Sequence, residues 1–158
     1  MSFFQRLQDS AFTDWFLGSP SIWAYPMVLT LHTVGLAILV GASFVINLRV
    51  LQVSGLIPLH RLRPLYRFIW FGFTINLVSG LILFITEAAD RVVDPVFGVK
   101  MASIAVALVL GLVVKRRSID PTGAPQVATV QTRSMAAVSL GMWTIAIVAG
   151  RLMAYVKT

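Results

Sequence analysis

Residues 23–48, WAYPMVLTLHTVGLAILVGASFVINL, decide the fold: no position in this run is formally charged, and His32 is its only ionisable side chain. Coiled as an α-helix at about 1.5 Å per residue, the run reaches about 39 Å, longer than the roughly 30 Å hydrocarbon core of a bilayer. Three more runs follow. Phe68 to Thr86 is uncharged, Pro95 to Val114 is interrupted only by Lys100, and Met135 to Val156 only by Arg151. The chain is 58% hydrophobic with a mean hydropathy of +0.85, against roughly 45–50% apolar residues in soluble domains. Its few charged residues cannot cover that much apolar surface, so the excess faces lipid. The expected fold is all-α: one integral membrane four-helix bundle over 1–158, with spans at 20–49, 66–87, 95–116 and 134–156. Ser19-Pro20 and Asp94-Pro95 read as helix caps followed by proline at the first helical position, and Pro26 as the site of a bend.

Charge sets the expected direction. Between the first two spans lie Arg49, Arg61, Arg63 and Arg67 with no acid, and between the last two Lys115, Arg116, Arg117 and Arg133 against Asp120 alone. Elsewhere Arg6, Arg91, Lys100, Arg151 and Lys157 balance Asp9, Asp14, Glu87, Asp90 and Asp94. The positive-inside rule therefore predicts cytoplasmic basic loops and an N-out/C-out chain. The pI near 10.9 then reflects membrane orientation, with no nucleic acid as partner, because the basic residues flank apolar runs without interleaved aromatic and polar side chains. The absence of cysteine excludes disulfides, thiolate metal sites and cysteine-held iron–sulfur clusters.

Met1 to Leu17 lacks the basic start and continuous apolar core of a secretory signal. Within residues 3–17, Phe4, Leu7, Ala11 and Trp15 fall at helical spacing, which predicts a short amphipathic helix lying at the membrane interface. The segment 120–125, DPTGAP, reads as a turn-rich loop. The two halves also share a layout of two parallel two-helix repeats. His32 or Lys100 comes early in each outgoing span, a basic cluster follows, and a glycine (Gly80, then Gly150) sits near the far end of each returning span. On that pattern His32 and Lys100 occupy related positions.

His32 is the leading candidate for chemistry, since an ionisable group inside a membrane helix needs a partner. Gly35 shares its face and leaves room for a neighbouring helix or a flat ligand. Thr30, Thr33, Thr74, Asn76 and Ser79 are candidate interior partners. Three readings stay open: polar glue between helices, a haem b or quinone contact at His32 and Gly35, and a soft metal site of His32 with Met101, Met27 or Met153 suited to Cu(I). A haem held by two histidines would need a partner at the same depth, and His60 lies in a basic loop, about 25 Å or more along the helix. Haem ligation then rests on His32 with a methionine, on His32 with an open site, or on two His32 paired across a dimer. Lys100 and Arg151, near Glu87, Asp90 and Asp94, form either an ion-pair network or a cationic pocket for an anionic ligand or quinone head group. His60, Arg61 and Arg63 read as anionic-lipid contacts. Gly35 and Gly41 suit close helix contacts in a homo-oligomer. No nucleophile elbow, P-loop, Rossmann fingerprint or HExxH pattern is present, so no catalytic role is assigned.

The stretches WFLGSP (15–20), LHTVG (31–35), VG (40–41), NLRVL (47–51), GF (72–73), SG (79–80) and FGVK (97–100) resemble a family of four-helix bacterial inner-membrane proteins without an assigned activity. More distantly they are similar to copper resistance protein D and to b-type cytochrome membrane subunits. The resemblance covers about residues 15–115. It implies a multi-pass protein of the bacterial inner (cytoplasmic) membrane. The leading functional expectation is a small subunit of a membrane complex, redox-linked through His32; the alternatives are a metal or small-molecule binding or transport protein using His32, Lys100 and Arg151, and a purely structural membrane oligomer. The resemblance also implies that His32 corresponds to the histidine of the family's first helix and Lys100 to the lysine opening its third. The chain departs from b-type cytochromes in lacking matched histidine pairs.

Overall fold

The computed structural model describes residues 3–53, 57–119, 128–153 and 155, which are helical with no strand among them. Four long helices carry the fold: α3 (Tyr25–Val50), α4 (Leu65–Thr86), α6 (Pro95–Val114) and α7 (Val130–Leu152). All four are long and apolar enough to cross a membrane, the make-up of a multi-pass membrane protein. Short helices α1 (Phe3–Gln8), α2 (Ala11–Gly18) and α5 (Ala88–Val93) gather where α4 ends and α6 begins. A 3₁₀ turn at Leu59–Leu62 precedes α4, and a π turn at Lys115–Ile119 extends α6. The bundle thus has a basic end, with Arg49, Arg61, Arg67, Arg116 and Arg133, and a mixed-charge end, with Glu87, Arg91, Asp94 and Lys100.

Several helix ends differ from the sequence expectation. The first span starts at Tyr25, with Pro26 in its first turn, where the N–H that proline lacks would have no partner anyway. Pro26 therefore bends nothing, and Ser19 caps the end of α2 instead. Residues 3–17 form two helices, because the Ser10 hydroxyl caps a new one by accepting from Thr13 N at 3.4 Å. α1 is tied to α5: Gln8 Nε2 donates to Asp90 (3.2 Å) and its Oε1 accepts from Ala89 N (2.9 Å). The last span starts at Val130, earlier than expected, because the Thr129 hydroxyl accepts from Thr132 N at 3.2 Å. Asp94 caps α6 as read, its Oδ1 accepting from Val96 N at 2.8 Å. The expected loop at 120–125 lies outside the described residues.

Packing is pairwise. α3 lies along α4, α6 along α7, and the two hairpins meet through α3 and α7. Two glycines set the first seam. A Cβ on Gly72 would stand 2.7 Å from Leu39 N and 2.8 Å from the Gly35 carbonyl, and one on Gly35 would stand 2.9 Å from Asn76 N. Backbone meets backbone there, as small residues allow in membrane helices. Across the middle, Asn47 Nδ2 donates to Ser139 Oγ (3.1 Å), which donates to the Ala107 carbonyl (3.3 Å), so α3, α7 and α6 share one buried polar link. Trp143, Leu39, Val50 and Val114 fill the space around it.

The hairpins share a burial register. Gly35, Leu39, Ile46 and Val50 are buried, and so are Ser103, Ala107, Val114 and Ser118, each 68 residues on. Tyr66, Ile69 and Ser79 are buried, and so are Ala136, Ser139 and Ala149, each 70 residues on.

Gly72→Val is expected to destabilise the fold by about 1–3 kcal/mol, because the obstructing atoms are backbone. Gly41→Val, where a Cβ meets nothing within 4 Å, should change stability by less than about 0.5 kcal/mol. Unfolding in mixed micelles measures both; equal effects would contradict the seam.

Candidate functional site

His32 sits on α3 facing α4. Its ring lies over Gly80, where an added Cβ would stand 3.1 Å from Cε1. Nδ1 is 3.1 Å from Ser79 Oγ, and Ser79 Oγ is 2.6 Å from the Ile75 carbonyl one turn back. The serine has one hydrogen, and the shorter bond to a carbonyl takes it. Its lone pairs then accept from His32, which assigns the proton to Nδ1 and leaves Nε2 bare. Asn76 Nδ2 donates to the His32 carbonyl at 2.8 Å and fixes the backbone behind the ring. Such outer partners orient an imidazole for a ligand on its other nitrogen.

Of the interior partners read from the sequence, Ser79 and Asn76 are in place and the threonines are not. Thr30, Thr33 and Thr74 are exposed and donate to the carbonyls of Pro26, Leu29 and Trp70 on their own helices, at 2.8, 3.0 and 2.9 Å. A hydroxyl facing lipid has no other acceptor.

Lys100 occupies the matching place in the other hairpin. Its Cε and Nζ would each lie 3.7 Å from a Cβ on Gly150, as the His32 ring lies over Gly80. It is half-buried and within electrostatic reach of both His32 and Arg91. The expected ion pairs of Lys100 and Arg151 do not form among the described residues, because Arg91 takes the carboxylates. Its guanidinium reaches Glu87 at 2.5 Å and Asp94 at 3.5 Å, and donates to the Met153 carbonyl at 3.4 Å. Asp90 is engaged by Gln8. Arg151 is exposed, its guanidinium 5.8 Å from the Tyr155 ring centre and 3.4 Å from its hydroxyl. Among the described residues Lys100 has no carboxylate in hydrogen-bond range. Sequence reasoning missed Arg91 as the hub, although its i−4 and i+3 spacing to Glu87 and Asp94 carried the signal.

One turn beyond Gly80, Phe84 stacks on Phe97 of α6, with centroids 5.5 Å apart and planes 20° from parallel, and Phe4 meets Phe84 edge-on. These rings close the mixed-charge end between α4 and α6.

Other candidates fare differently. Haem held by two histidines of one chain does not fit, because α4 fills the Gly35 face and His60 lies in the 3₁₀ turn at the opposite end. Met101 is 41% exposed, on the outside of α6 while its neighbour Lys100 faces α7. Among the described residues no group of three or more His, Cys, Asp or Glu could hold a metal. Comparison with known proteins finds no match to any family model, curated protein or solved structure.

Nitrogen-15 NMR of labelled histidine is expected to show His32 protonated at Nδ1 and bare at Nε2, with Ser79→Ala abolishing that preference. An Nε2–H tautomer in the unsubstituted protein would contradict the assignment.

Proposed function

We propose that the chain is a small subunit of a bacterial inner-membrane complex that holds a quinone-like head group between His32 and Lys100. The observation that carries this reading is the pairing of a bare Nε2 with a half-buried ammonium that no carboxylate among the described residues pairs with. A hydroxyl of the reduced head group donates to Nε2, and a carbonyl or anionic oxygen accepts from Lys100. The Phe84–Phe97 stack one turn away supplies an aromatic wall for a planar ring. Low dielectric makes both polar contacts stronger than in water, and the ring is apolar enough to arrive from the bilayer. The basic loops lie in the cytoplasm and both termini outside, as the one-sided charge supports, which sets the site in the outer half of the membrane. The matched placement of His32 over Gly80 and Lys100 over Gly150 supports two parallel repeats, with one repeat contributing the acceptor and the other the donor.

The test is binding of a short-chain benzoquinone to protein in nanodiscs. Lys100→Met and His32→Phe are each expected to weaken binding about tenfold, the loss of one hydrogen bond involving a charged or oriented partner. Arg151→Met, on the exposed face, leaves it unchanged. No binding to the unsubstituted protein, or equal binding by all four proteins, would remove the reading.

A further inference from the structure

The seam between α4 and α6 is a place where the two hairpins fail to match. Under the shared register, α3 corresponds to α6 and α4 to α7, so the close α3–α7 contact has α6–α4 as its counterpart. α3 and α7 pack together, whereas α4 and α6 form no comparable seam. Side chains bridge them near both ends: the Phe84–Phe97 stack at one, and Tyr66 at the other, its hydroxyl donating to the Gly111 carbonyl at 3.1 Å. Between these lies a cleft floored by Asn47, Ser139 and Trp143. Its lips are Trp70, 48% exposed, and Leu112, 37% exposed. A Cβ on Gly111, in its wall, would meet nothing within 4 Å.

The mouth of the cleft is basic. Lys115 Nζ lies 5.2 Å from the centre of the Tyr66 ring, and Arg67 and Arg116 follow Tyr66 and Lys115 in the chain, both exposed. No acid lies at this end among the described residues. An apolar groove opening sideways to lipid under a cluster of cations matches one molecule of the surrounding solvent. That molecule carries an apolar chain and a negative head.

We propose that the α4–α6 cleft seats an anionic phospholipid, one acyl chain lying along the groove past Gly111 and Leu112 and the phosphate at the Lys115 end. The enclosed part of the cleft, about 30 Å³, has room for a water or two on the polar floor. The chain therefore lies between the lips and does not displace the Asn47–Ser139 link.

Native mass spectrometry of detergent-purified protein titrated with phosphatidylglycerol or phosphatidylcholine tests this. Phosphatidylglycerol is expected to remain bound in preference to phosphatidylcholine, and Lys115→Gln to reduce that preference about fivefold, the worth of one basic residue near an anionic head. Gly111→Leu, which fills the groove without altering charge, should lower phosphatidylglycerol occupancy by a similar factor with helical content and thermal unfolding unchanged. Equal retention of the two lipids would overturn the proposal. So would full phosphatidylglycerol binding by Gly111→Leu, which would place the head group on the basic surface alone. Dimers that dissociate in Gly111→Leu would overturn it too, since a second copy would then fill the seam.

Discussion

Inside a bilayer no water is available to complete a hydrogen bond, and in a chain with four helices long and apolar enough to cross one that constraint organises the rest. Phe71 and Val109 are each 59% exposed, Leu81 55% and Val148 51%, a surface that only an apolar solvent leaves unpenalised. Inside such a solvent each polar group must find its partner within the chain. The exposed threonines turn back on their own helices. Asn47, Ser139 and the Ala107 carbonyl satisfy one another at the centre. His32 closes on Ser79. Lys100 stands out because its natural partners are spent on Arg91.

Two glycine contacts convert this constraint into a site. Gly35 against Gly72 brings α3 and α4 to backbone distance, which sets Ser79 and Asn76 beside His32. Had that seam been wider, the imidazole would face an open gap and its tautomer would be unfixed. Gly80 and Gly150 then give the two cationic-capable side chains flat ground to lie on. The same pairing by hairpins leaves α4 and α6 apart, so the bundle has one tight middle seam and one open one.

Much of this was legible in the sequence. Apolar run length gave the four long helices, and Asp94-Pro95 gave the start of α6, because a capping carboxylate and proline act locally. Where tertiary contacts decide, reading the chain was less reliable. Ser19-Pro20 looks like a helix start, yet the chain turns until Tyr25, and only the docking of α2 on α4 and Tyr25 on Phe16 explains that delay. The short helix α5 was hidden because six residues between two long runs carry no periodicity. At the site, His32 and Lys100 were visible as ionisable residues in apolar surroundings. Ser79 was one of five polar candidates, and rotation about the helix axis, which the sequence does not encode locally, selected it. Arg91 was passed over because a charge near a span end looks like any solvated residue.

The absence of cysteine makes the central claim directly measurable. Phe71→Cys, Val109→Cys and Arg61→Cys, each the only thiol in its chain, are prepared in sealed membranes and treated with a water-soluble maleimide before and after opening the vesicles and after adding detergent. With lipid as the solvent of the spans, Phe71→Cys and Val109→Cys stay unlabelled until detergent is added, while Arg61→Cys labels as soon as the face it occupies is reached. Labelling of all three at the same rate in intact membranes would contradict the account at its root.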